Sequence, residues 1–152
     1  MSIIELIQAI RNSKMKYVCW TGGEPLLWKW EIEKVIEKTR GKHHHLETNG
    51  DLLSEEDFLI FQYLAISPKD KATAKKCRLL YRYEDSDIKV VTNLKTVGTD
   101  MLVYATMLMP LTTYKKKKDL EIMKNVWVYC CEFNKRYCAR IHYFVWGKKK
   151  GV

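Results

Sequence analysis

Gly22-Gly23-Glu24-Pro25 combines residue types that could do chemistry together. Two adjacent glycines clear side chains from the backbone, so a ligand can reach N–H and C=O groups directly. Glu24 adds a carboxylate suited to an ammonium group, and Pro25 suits the first position of a helix. The set reads as a pocket for a zwitterionic amino acid; an ordinary turn is the competing reading. Two more stretches combine turn formers with polar side chains, Glu47-Thr48-Asn49-Gly50 and Ser67-Pro68-Lys69. Glu47 either faces a ligand or caps the turn after it. Ser67 and Lys69 either touch a ligand or form a plain strand exit. Arg140 and His142, spaced i, i+2, share a face if the segment is a strand; a structural salt link is the plainer role. His43, His44 and His45 invite a metal reading, but on a strand only His43 and His45 point the same way.

The elements that position these residues follow from periodicity. Ile3, Leu6, Ile7 and Ile10 mark one face of a first helix. Lys16–Trp20 is a short apolar strand, followed by the glycine turn and a helix carrying Trp28, Ile32, Val35, Ile36 and Thr39, with Gly41 past its end. His43–Glu47 is a second strand. Ser54 faces an acidic helix start at Glu55-Glu56-Asp57. Further strands are expected at Tyr63–Ile66, Ile88–Val91, Met101–Leu108 and Ile141–Trp146, with a helix over 119–135. Alternating short strands and helices indicate one α/β domain built on a mainly parallel sheet. Ligands bind outside the carboxyl ends of such strands, so the three turns should gather on one edge.

The 152 residues suit a single domain, and the hydrophobic fraction of 47% is that of a globular chain. No apolar run reaches the length of a membrane span, and the start lacks the basic and small-residue features of a signal peptide. A cytoplasmic protein without a membrane partner is expected. The net charge of +9 is concentrated in runs such as Lys115–Lys118 and Lys148–Lys150, read as solvated loop and tail. An aromatic–basic recognition motif is missing, so no direct nucleic-acid binding is expected. Cys19, Cys77, Cys130, Cys131 and Cys138 do not form a disulfide framework or a zinc-finger spacing. Cys19 is expected in the core.

Thr21–Leu27 reads TGGEPLL and is similar to the segment by which radical S-adenosylmethionine enzymes hold the methionine amino group of their cofactor. With ETNG at 47–50, SPK at 67–69, Arg140-Ile141-His142, Trp146-Gly147 and Gly151-Val152, nearly the whole chain resembles the 7-carboxy-7-deazaguanine synthases. The resemblance implies an abbreviated radical S-adenosylmethionine barrel, a [4Fe–4S] cluster and Mg2+. It implies conversion of 6-carboxy-tetrahydropterin to 7-carboxy-7-deazaguanine, a precursor of queuosine or archaeosine in tRNA. By position, Gly22, Gly23, Glu24 and Pro25 would hold the methionyl amine, with Asn49, Ser67 and Lys69 along the cofactor. Thr21, Glu47 and His142 would face the pterin, and Arg140 would neutralise its carboxylate. Homodimers are common in the family.

The family's three cluster cysteines lie in a loop after its first strand, a loop expected before residue 3. That loop, the strand and the expected magnesium ligand are absent from these residues. Three explanations stand: a second polypeptide supplies the cysteine loop, the true start lies upstream, or the domain is a degenerate remnant. The last would make the chain a non-catalytic S-adenosylmethionine- or pterin-binding or protein-interaction module on the same scaffold.

Overall fold

A computed structural model describes residues 2–82 and 84–147. The lysines at 148–150 and the Gly151-Val152 end lie outside the described residues. The chain divides into two compact units, Met1–Ile88 and Lys89–Val152. Among the described residues, six strands, all paired in parallel, follow one another in sequence order: β1 (Tyr17–Trp20), β2 (His43–Thr48), β3 (Tyr63–Ile66), β4 (Ser86–Thr92), β5 (Met107–Pro110) and β6 (Arg136–Tyr137). The α/β class with a parallel sheet is therefore as expected.

The first unit opens with α1 (Ile3–Asn12), fixed by a capping box: Glu5 N–H donates to Ser2 Oγ, and Ser2 N–H donates to Glu5 Oε2. After β1 the chain passes through a 3-10 turn, Pro25–Trp28, into α2 (Lys29–Lys38). Trp28 is the residue before that helix and is 64% exposed, not part of its buried face. The buried face is Ile32 and Val35. A short α3 (Asp57–Ile60) precedes β3, and α4 (Lys71–Leu80) follows it, capped by Asp70. The expected cap at Ser54 is reversed. Ser54 donates through its N–H and hydroxyl to Asp57, a fully buried carboxylate that also pairs with Lys29 at 2.8 Å.

Alternation along the strands separates two faces. His44, Leu46, Thr48, Leu64 and Ile66 are buried on one. α2 meets this face where Thr39 contacts His44, and α4 meets it where Cys77 lies against Gly50. The opposite face carries Tyr17, Cys19, His43, His45, Glu47 and Tyr63, none of them buried. Cys19 is exposed rather than in the core, because it points to this face. β1 is also the end strand of the sheet, and none of its residues is buried.

In the second unit, Lys89–Thr92 of β4 pair with Met107–Pro110. The expected strand over Met101–Leu108 forms only from Met107. A 3-10 turn at Thr99–Met101 and a turn up to Tyr104 take up its first half, and Ala105 N–H donates back to Met101. α5 (Lys116–Glu132) starts three residues before the expected helix, since lysines are good helix formers. Its Ile122, Val126 and Cys130 are buried, whereas Cys131 is exposed. Ile141–Trp146 forms a helix, α6, not a strand. Arg140 and His142 thus do not share a strand face: Arg140 precedes the helix and His142 is its second residue.

Candidate functional site

Glu24 joins the exits of β1 and β2. Its Oε1 accepts from the Thr48 hydroxyl at 2.7 Å and from Leu26 N–H at 3.2 Å. Its Oε2 accepts from Asn49 N–H at 2.7 Å. Thr48 Oγ1 accepts in turn from Gly50 N–H at 3.0 Å, and Ser67 N–H donates to the Thr48 carbonyl at 2.7 Å. The three turns read from the sequence thus meet at the carboxyl edge of β1, β2 and β3, bound by one chain of hydrogen bonds.

A carboxylate offers about four acceptor positions. Protein donors take three on Glu24, so its first task here is to clip two loops together. The surfaces left open are backbone. Gly22 and Gly23 adopt φ +92° and +61°, and a Cβ built on either meets nothing within 4 Å. Both glycines are exposed, and the buried Pro25 holds the turn from beneath. Ser67 is half-buried and Lys69 exposed at the neighbouring strand exit. Asn49 Oδ1 accepts from Asp51 N–H at 2.9 Å, so that side chain shapes the turn.

Thr21 and Glu47 also come together, the hydroxyl donating to Glu47 Oε2 at 3.4 Å. Both are exposed, and Glu47 continues the face of His43 and His45. Across that face runs a row of rings that sequence reading did not assemble. Tyr17 stacks on His43 at 5.2 Å and lies 5.3 Å from His45, which lies 5.5 Å from Tyr63. Tyr63 donates to the buried Asp87 at 2.5 Å. The register aligns these residues, Tyr17 opposite His43 and His45 opposite Tyr63, and only strand pairing reveals it. The imidazole of His45 is held below its usual range, by burial first and by His43 second. Such a surface suits a flat heteroaromatic ring, with the Glu47 carboxylate able to accept from its N–H edge.

A second hollow, of about 420 Å³, opens beside Gly22 on the helix side of β1. Ile3, Leu6, Trp20, Pro25 and Ile32 give it an apolar lining, with Glu31 at its rim. In the second unit, Arg140 borders Pro110, Leu111 and Thr112 at the exit of β5, and the His142 ring lies 5.3 Å from Trp146.

Gly22 and Gly23 leave open space where a side chain would stand, with their backbone accessible. A [4Fe–4S] cluster is held by converging thiolates. Among the described residues no three His, Cys, Asp or Glu side chains are grouped to hold a metal. No helix among the described residues is long and apolar enough to cross a membrane. Compared with known proteins, the chain matches no family model and no curated protein sequence.

Proposed function

We propose that this chain binds S-adenosylmethionine at the carboxyl edge of β1–β3 and a reduced pterin on the adjoining ring-bearing face. In this reading it is the ligand-binding part of a 7-carboxy-7-deazaguanine synthase-like radical enzyme acting on 6-carboxy-tetrahydropterin. The thiolates for its cluster would come from outside residues 1–152. The observation that carries the reading is the hydrogen-bonded junction of the three turns, which leaves the Gly22–Gly23 backbone open at φ values that favour glycine. Consecutive strand order and the polar ring-bearing face support a partial barrel with room for a further strand beside β1. Within it, Gly22 and Gly23 would offer carbonyls to the methionyl ammonium, while Ser67 and Lys69 would contact the ribose and carboxylate. Thr21 and Glu47 would face the pterin. When bound, the cluster supplies the electron for reductive cleavage of S-adenosylmethionine; the residues of this chain bind and orient.

One observation favours a second reading, a non-catalytic binding or interaction module. Glu24 is engaged by protein donors, so the Gly-Gly-Glu-Pro turn has a structural purpose independent of any ligand.

Titration calorimetry tests the proposal with two probes, S-adenosylmethionine and methylthioadenosine, which lacks the amino-acid end. Binding of the first at least tenfold tighter, weakened by Ser67→Ala and Lys69→Ala, is expected. Equal affinities, or no binding of S-adenosylmethionine, would reject the site.

A further inference from the structure

We propose that the second unit carries a docking surface for an anionic lipid membrane, formed by α6 and the first two turns of α5. An apolar helix in a folded protein is normally buried. In α6 no residue is: Ile141 is 66% exposed, Phe144 53%, Val145 58% and Trp146 47%. The helix is nevertheless fixed in place. Tyr143 meets Tyr114 edge-on at 5.5 Å, and Phe144 shares a shallow groove of about 230 Å³ with Lys116, Leu120 and Met123. Leu120 is itself 52% exposed, so the apolar surface runs from α6 onto α5.

This surface adjoins the first turn of α5, where Lys115, Lys116, Lys117 and Lys118 are all exposed. The amino end of a helix already carries partial positive charge, so four lysines there oppose the helix dipole. Lys115 stands at the cap with no side-chain hydrogen bond to it. The adjacent carboxylate, Asp119, is buried and turned inward, where Thr113 donates to it through N–H at 2.7 Å and hydroxyl at 2.6 Å. Glu121 is the one exposed carboxylate within a helical turn of these lysines, so positive charge predominates there and an external anion would lower it. Charge is uneven along the chain as well. Met1–Ile88 contains 14 basic and 14 acidic residues, Lys89–Val152 contains 13 and 4, and three of those 13, Lys148–Lys150, follow α6 in sequence.

The partner must therefore be both apolar and anionic. A second copy of the chain would set lysines against lysines. A nucleic acid would meet the charge but leave the aliphatic Ile141, Val145 and Leu120 without a counterpart. An anionic bilayer offers acyl chains to these residues, an interfacial zone to Trp146 and headgroup charge to the lysines. α6 has six residues, too few to span a bilayer, so the proposed contact is peripheral.

Flotation of the full chain with vesicles tests this, using phosphatidylcholine alone and phosphatidylcholine mixed with phosphatidylserine. Binding to the mixed vesicles only, weakened by salt, is expected. Lys117→Gln with Lys118→Gln should lower partitioning roughly thirtyfold, and Phe144→Ala with Trp146→Ser should abolish it. Both variants change exposed side chains, and circular dichroism verifies that the fold is kept. No binding to mixed vesicles, or equal binding to neutral ones, overturns the proposal. So does concentration-dependent self-association lost in Trp146→Ser, or binding of single-stranded RNA or an acidic protein that the α6 variants abolish while vesicles do not bind.

Discussion

The indole N–H of Trp20 donates to Nδ1 of the buried His44 across 3.1 Å. Because indole nitrogen only donates, Nδ1 must be unprotonated, and the proton of neutral His44 sits on Nε2. Nε2 then donates to Thr39 Oγ1 at 3.1 Å, and Thr39 donates to the Val35 carbonyl at 2.6 Å. Burial is the main cause holding the His44 imidazole below its usual range. The unfolded chain therefore takes up a proton first, near pH 6.5, so stability is full above that pH and falls as pH drops through the folded-state value. Urea midpoints should be flat above about pH 6.5 and decline below it. His44→Leu should start about 1 kcal/mol less stable, with the Trp20 N–H unpaired, and keep only the shallower decline from His45. An unchanged slope in that variant would remove His44 as the cause.

Glu24→Ala should lower stability by about 2–3 kcal/mol in denaturant titrations, since three donors lose a charged acceptor. Thr48→Val removes one donor and leaves Glu24 in place; about 1 kcal/mol is expected. If Glu24→Ala left stability unchanged, the clip between the β1 and β2 exits would have no energetic weight.

Gly50 sits at φ +88°, and a Cβ there would come 2.6 Å from Cys77 Sγ and 2.9 Å from Ile66 Cγ2. Backbone strain and overpacking together predict a loss of about 2–4 kcal/mol for Gly50→Ala. Gly41, with nothing near its missing Cβ and no positive φ, should tolerate alanine. Thermal unfolding of the pair checks the contrast.

Thiol alkylation should separate the cysteines. Cys19 and Cys131 are exposed, whereas Cys77 and Cys130 are buried. Burial pushes the Cys77 thiol up to about 11 and raises that of Cys130. Mass spectrometry after brief iodoacetamide treatment at neutral pH should find label on Cys19 and Cys131 first, and on Cys77 only after unfolding.

The three turns were legible because glycine, proline and asparagine punctuate short apolar strands, and parallel α/β order sends successive exits to one edge. Ile141–Trp146 was not legible. A six-residue run of β-branched and aromatic side chains fits a strand as well as a helix turn, and Arg140 makes no side-chain cap that would mark a helix start. Met101–Leu108 misled for a similar reason, its apolar residues serving a 3-10 turn before the strand begins. The role of Glu24 was only half visible: its type suggested an ammonium ligand, while two of its three hydrogen-bond partners lie 24 and 25 residues away. The row from Tyr17 to Tyr63 depends on register, which residue types alone do not specify.

Every described strand pairs with a strand adjacent in sequence, so each step can dock on an edge that the preceding step has completed. Loop closure then costs little at any stage, because ordered neighbours are separated only by the intervening helix or turn. A ribosome releasing this chain would extend the sheet at one edge only, the side away from β1, and growth of the sheet could keep pace with synthesis.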